Sequence, residues 1–191
     1  MHISFIGCPC SGKTTTAAMA FASLKELGIS CEFTPEQARW YIAQKRVIDR
    51  LKPEDPCKLD DHDQLSIMLG QLIHDNTIRT AVGPDIITVS DSSPLNSLLY
   101  MNEEKRPEGA SLITTLGNQT DLVFYAKPVT RDGGLDPNRI HSESESLKID
   151  ELIPVVINQY FPEVWKKVIV LDGTPKNRLG KVTEAILSNR F

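Results

Sequence analysis

Residues Gly7 to Thr14 read GCPCSGKT, which sets Gly7, Gly12, Lys13 and Thr14 at the fixed positions of G-x-x-x-x-G-K-[ST]. The stretch follows the apolar run HISFI and leads into KTTTAAMAFASLKEL, a strand-to-helix turn. In that setting Gly7, Cys8, Pro9, Cys10, Ser11, Gly12, Lys13, Thr14 and Thr15 form a phosphate cradle. Backbone N–H groups wrap the β-phosphate of a nucleoside triphosphate, the two glycines permit the turn, and the helix N-terminus adds partial positive charge. Lys13 reaches the β- and γ-phosphates, and the Thr14 hydroxyl is a Mg²⁺ ligand. A Cys-X-Cys redox or metal clip is the competing reading. It fails because Cys8 and Cys10 fill variable positions of a backbone committed to phosphate, and cysteines 8, 10, 31 and 57 form no CxxC pair. The helix N-terminus should instead lower the pKa of whichever of the two thiols is accessible.

A second chemical group stands at the end of DIITVSDSSPLNSLLY, where an apolar run leads directly into Asp91. A carboxylate at the carboxyl end of a parallel strand lies beside such a phosphate loop, and there it holds Mg²⁺ through water or orients a substrate hydroxyl. Asp91 or Ser92 capping a helix over 94–101 is the bland alternative, and the two roles can coexist. In 36–51, Trp40, Tyr41, Val47, Ile48 and Leu51 share one helical face while Arg39, Arg46 and Arg50 line another. That basic stripe is either a solvated face or a contact for an anionic acceptor. The histidines at 2, 62, 74 and 141 show no ligand spacing.

The elements that must position these groups are legible as alternation. Strand-like runs at 2–6, 30–34, 85–90, 120–126 and 166–172 are separated by helical periodicity over 13–27, 36–51, 60–81 and 176–189. Parallel βαβ units follow. Gly28, Gly83-Pro84 and Pro107 read as helix-ending punctuation. The stretch 127–146, KPVTRDGGLDPNRIHSESES, has no apolar periodicity and reads as a lid, a binding segment or a surface loop.

Composition bounds the rest. A chain of 191 residues with 40% hydrophobic content suits one domain, 1–191, with one substantial core. The net charge of −4 gives no global attraction to nucleic acid or to an anionic membrane, so any polyanion site is local. No segment approaches the roughly 18 uninterrupted apolar residues of a membrane span, and no signal-peptide pattern opens the chain. The expectation is a cytoplasmic protein with reduced thiols.

Taken in order, GCPCSGKTT, TPEQARWYI, VSDSSPLNSLLY, TDLVFYAKP with an arginine-containing loop after it, and LDGTPKNR resemble a small P-loop kinase of the nucleoside and nucleotide kinase superfamily. The order and spacing are most similar to the ribosylnicotinamide-kinase-like domains, with their many phage and bacterial ATP-binding members. The resemblance covers nearly the whole chain, and the P-loop is its specific part. It implies an α/β, three-layer fold: a five-stranded parallel sheet in the order 2-3-1-4-5, helices on both faces, and a lid at about 127–146. It implies ATP and Mg²⁺ as cofactors and a nucleoside-type small molecule as acceptor. Glu36 matches the carboxylate that acts as general base on the acceptor hydroxyl, against the alternative that it decorates a first helical turn after Pro35. Arg39 becomes an acceptor-binding candidate. Ser92 stands where the family often has arginine, which shifts charge neutralisation to the lid residues Arg131 and Arg139, the latter favoured. The loop after the last strand is implied to touch adenine through Gly173 and Thr174, with Arg178 packing on or beside the ring.

These readings converge on an ATP- and Mg²⁺-dependent phosphotransferase, with the acceptor and the oligomeric state open, a homodimer included. A kinase acting on a polynucleotide end or a modified DNA base is the runner-up, and a regulatory ATPase is the rival from another class. A GTPase is disfavoured, since FYAKPVTRD replaces the N-K-x-D motif.

Overall fold

The computed structural model describes residues 1–52, 55–117, 120–129 and 142–190. Five strands form one sheet: β1 His2–Ile6, β2 Cys31–Thr34, β3 Ile87–Ser90, β4 Leu122–Ala126 and β5 Ile169–Leu171. Their order is β2-β3-β1-β4-β5 and every pairing is parallel. The family resemblance implied this order and it is the one observed. The strands are short apolar runs, and β1, β3 and β4 are buried throughout, as a sheet covered on both faces requires.

Helices α1 Lys13–Glu26 and α7 Pro175–Arg190 cover one face. Ala17, Ala20 and Leu24 of α1 and Val182 and Ile186 of α7 pack there with Ile3, Phe5, Val89 and Phe124. The other face carries α3 Asp61–Val82, a short 3-10 helix Pro94–Leu99, and α5 Glu143–Tyr160. Met68, Leu72, Leu95, Leu98, Ile153 and Ile157 join Ile6, Val123 and Tyr125 in that second core. Helices α2 Gln37–Ile48, α4 Arg106–Leu116 and α6 Pro162–Trp165 complete the described elements. Two helix starts are locally encoded: Asp60 with Asp63 and Ser142 with Glu145 form reciprocal capping boxes for α3 and α5.

Three local expectations change. Pro107 does not end a helix; it sits in the first turn of α4, where its missing N–H costs nothing. Residues 143–146, assigned by sequence to the far end of the lid, are the first turn of α5. The apolar face of α2 points outward, with Trp40 64%, Val47 79% and Ile48 77% exposed. Polar contacts hold that helix to α3 instead, from Tyr41 and Lys45 to Asp63 at 2.7 and 3.3 Å. Among the described residues, no helix is long and apolar enough to cross a membrane.

Candidate nucleotide site

The loop between β1 and α1 is wound tightly enough that its glycines are structural requirements. A Cβ on Gly7 would lie 2.6 Å from Ser11 Oγ and 2.7 Å from the Ala126 carbonyl. Gly12 has φ +86° and precedes α1 without a side-chain cap, and no acidic residue occupies the first turn. The first-turn N–H groups of α1 are thus left to an external anion. Lys13 curls over the loop, donating from Nζ to the Gly7 and Cys8 carbonyls at 2.9 Å each. Thr14 and Thr15 are exposed.

Two side chains clamp this loop, from opposite faces of the sheet. Asn96, on the 3-10 helix, accepts from the Gly7 N–H at 3.2 Å and donates to the Phe5 carbonyl at 3.1 Å. Arg178, in the first turn of α7, is 2% exposed. Its guanidinium donates to the carbonyls of Ser11 at 2.5 Å, Lys127 at 2.7 Å and Gly173 at 3.2 Å. Sequence reasoning put Arg178 on or beside an adenine; its N–H groups engage these backbone carbonyls, while Gly173 and Thr174 are exposed at the mouth of the β5–α7 turn.

Asp91 is 4% exposed at the end of β3, and its Oδ1 is buried without a hydrogen-bond partner. Burial pushes its pKa above the ordinary carboxylate range, and the Glu36 carboxylate adds to that, against a hydrogen bond from Thr14 and the charges of Lys13 and Arg39. Thr14, Lys13, Glu36 and Arg39 are thus the groups whose fields act on this carboxyl group. Glu36 is the N-cap of α2 yet caps nothing with its side chain. Its carboxylate takes the Arg39 Nε at 2.9 Å. Asp91 is not the helix cap that sequence allowed, since Ser93 caps the 3-10 helix.

The expected lowering of thiol pKa belonged to whichever of Cys8 and Cys10 is accessible, and Cys8 is not. Cys8 is 1% exposed, and burial pushes its pKa up to about 11, with Lys13 only partly opposing. Cys10 is half-buried and holds a left-handed φ of +65°. The helix N-terminus does not decide Cys8, because its side chain turns into the core beside Tyr125 rather than toward the N–H groups. Arg131 and Arg139 lie outside the described residues, as does most of the proposed lid.

Sequence reasoning missed several contributors. Asn96 is a polar residue inside the apolar run PLNSLL, and Gln71 and Asp75 are polar at core-facing positions of α3; such interruptions are the signal that would have found them. Tyr100 follows the 3-10 helix, and burial raises its phenol pKa, with Glu36, Cys8 and Cys10 acting in the same direction. Lys127, just past β4, pairs with Asp150 of α5 at 3.2 Å and donates to the Tyr125 hydroxyl at 2.8 Å, joining the two flanks of segment 130–141.

Do these residues fit a magnesium nucleotide? A buried acceptor oxygen without a partner, a threonine hydroxyl beside it, and an uncapped helix N-terminus above a lysine are the donor set such a group requires. Among the described residues no cluster of three or more His, Cys, Asp or Glu suits a metal held by protein alone.

A parallel sheet in this order, with the G-x-x-x-x-G-K-T loop between β1 and α1, defines a P-loop nucleotide-binding domain. The chain belongs to the AAA domain family, whose model matches residues 2–174. Similar solved structures include NadR protein in complex with NAD and AMP-PNP, at 16% identity and a TM-score of 0.67, covering 96% of this chain and 48% of that one. NadR protein in complex with NR superposes at 19% identity and a TM-score of 0.68, covering 96% of this chain and 50% of that one. This chain thus spans about half the length of those NadR chains. No curated protein matches the sequence.

Proposed function

We propose that the protein is an ATP- and Mg²⁺-dependent phosphotransferase acting on a nucleoside-type small molecule. The observation that carries this reading is Asp91: a buried carboxylate at the end of β3, with one oxygen unpartnered and Thr14 and Glu36 as neighbours. A switch or a simple ATPase needs the first two groups. Glu36, two residues past β2 and acting on Asp91 through its charge, is the additional feature that a phosphoryl acceptor calls for.

Bound Mg-ATP would supply the transferred phosphoryl group and neutralise charge on its oxygens. The chain's own residues do the rest. Lys13 exchanges its two carbonyl partners for phosphate oxygens, so its present contacts hold the ammonium near its working position. Thr14 and Asp91 hold the cation side, with Asp91 poised to shed its desolvation penalty once a positive charge arrives. Glu36 accepts the proton of the acceptor hydroxyl, and Arg39 keeps that carboxylate oriented. Arg131 and Arg139 are the cations this reading assigns to the equatorial oxygens, and Gly173 and Thr174 are assigned to the adenine. The similar NadR structures, solved with AMP-PNP and with NR, support a nucleoside-type acceptor.

The test is a screen of γ-labelled ATP against nucleosides, nucleoside monophosphates, nicotinamide riboside, short DNA and water, with product identification. Label on a nucleoside-type product, abolished by Lys13→Ala in a folded variant, is the expected result. Label on DNA ends alone, or phosphate released with every acceptor ignored, would replace this reading by the polynucleotide kinase or the regulatory ATPase.

A further inference from the structure

Helix α3 carries a buried polar side chain that the nucleotide site does not use directly. Gln71 is 3% exposed, lies in the middle of the helix, and has all of its main hydrogen-bonding capacity engaged. Its Oε1 accepts from the backbone N–H of Gln37 at 3.0 Å. Its Nε2 donates to Asp75 Oδ1 at 3.0 Å and to Ser90 Oγ at 3.1 Å. The orientation of the amide is forced, because a backbone N–H needs an acceptor and a carboxylate oxygen needs a donor. The two ends of this side chain therefore meet different parts of the cleft. Gln37 is the first residue of α2 and follows Glu36 directly. Ser90 precedes Asp91, and its hydroxyl lies 2.9 Å from Asp75 Oδ1 and 2.8 Å from the Ser92 carbonyl, so it brackets Asp91 from both sides along the chain.

We propose that Gln71 is a positioning residue that fixes the separation of Glu36 and Asp91 by bridging the start of α2 to the end of β3. The inference rests on the phosphotransfer reading of those two carboxylates. The backbone tie nearest Glu36 lies two residues earlier, where the Asp91 N–H donates to the Thr34 carbonyl at 2.9 Å, and beyond Pro35 the bridge from Gln71 takes over. No residue of α2 is buried: Tyr41 and Lys45 meet Asp63 further along the helix, and at its start Gln37 Nε2 lies 2.7 Å from His74 Nδ1, a contact between side chains. Like charges at the two carboxylates repel, so the cleft relaxes by opening wherever α2 can shift. A rigid buried amide opposes that relaxation. Burying Gln71 and Asp75 at core-facing positions costs stability that an apolar α3 would not lose, and a positional role for the network accounts for accepting that cost.

Gln71→Met keeps the length and volume of the side chain and removes both ends of the bridge. Amide hydrogen exchange should show the Gln37 N–H losing about tenfold or more of its protection, while the loop amides of Ser11 and Thr16 keep theirs. Single-turnover transfer of γ-phosphate from Mg-ATP, to water or to the acceptor the screen identifies, should fall about tenfold or more with ATP affinity within about twofold, because a misplacement near 1 Å is costly for turnover and the P-loop is untouched. Gln71→Glu retains the acceptor for Gln37 and, when protonated against Asp75, a donor; it should keep Gln37 protected and recover most of the rate. Leu72→Val, a core change on the same helix, should lower Tm and leave turnover per folded molecule unchanged. Unaltered protection at Gln37, a Met variant turning over at the wild-type rate, an equal loss of ATP affinity, or the same turnover loss in Leu72→Val would each overturn the positioning role. A wild-type protein inert toward water and every acceptor would sink the phosphotransfer reading instead, a distinct failure.

Discussion

Replacing Arg178 by methionine removes a buried cation whose three donors all end on backbone carbonyls, one of them in the nucleotide loop and one just past β4. The Gly173 carbonyl lies in an exposed turn where water can take over, so the loss is carried by Ser11 and Lys127. A hydrogen bond to a charged group contributes about 1.5–3 kcal/mol, and two carbonyls left without donors in a dry site give a destabilisation of roughly 3–5 kcal/mol. For a chain of this length, about 2–4 °C of Tm per kcal/mol converts that to a fall on the order of 10 °C. Urea unfolding followed by circular dichroism, with and without Mg-ATP, measures it. The carbonyl of Ser11 belongs to the peptide whose N–H is Gly12, so freeing it also lets that N–H swing from the phosphate. ATP affinity should therefore weaken by about tenfold in molecules that remain folded. Arg178→Lys keeps the charge yet spans only one carbonyl, and should recover less than half of the stability. A loss below about 1 kcal/mol, or full recovery by lysine, would refute the clamp, since the first means the carbonyls find other donors and the second that charge alone matters.

The two carboxylates of the cleft should separate by metal dependence: Asp91→Asn should need more Mg²⁺ for half-maximal turnover, whereas Glu36→Gln should lose turnover at every Mg²⁺ concentration, and superimposable magnesium profiles would remove the distinction. A thiol-alkylating reagent at neutral pH should label Cys10 and spare Cys8, whose pKa near 11 leaves almost no thiolate; mass spectrometry showing Cys8 modified first would contradict the buried placement. His2, 3% exposed, is depressed from 6.5 to about 4 by burial and then by Arg79, with Asp121 opposing. The unfolded chain then binds more protons than the folded one between those values, so stability should fall by roughly 3 kcal/mol as pH drops from about 6.5 to about 4. The raised pKa of Asp75 works the other way, so the measurement is the difference in urea-unfolding free energy between wild type and His2→Gln; parallel pH profiles would show that His2 is not the group responsible.

Sequence patterning by itself determined the five strands, the helices α1, α2, α3 and α7, and the phosphate loop, because each is a local decision. Period-3.6 and all-apolar runs respond to neighbours a few residues away, and G-x-x-x-x-G-K-T owes its spacing to one turn of backbone. Asp91 was legible for the same reason, standing where a buried run stops. Tertiary contacts decided the rest. Pro107 reads identically at a helix start or beyond a helix end, and only the packing of α4 against the 3-10 helix chooses between them. The exposed apolar face of α2 is invisible to periodicity, which reports that a face exists and not whether anything covers it. Which of Cys8 and Cys10 is accessible was not legible, because the burial of Cys8 in a core that includes Tyr125 depends on residues more than a hundred positions away. Arg178 meets Ser11 across 167 positions and Asn96 meets Gly7 across 89. Hydrogen bonds of that range carry no periodic signature, since they depend on where the sheet order brings strand ends together and not on any spacing along the chain.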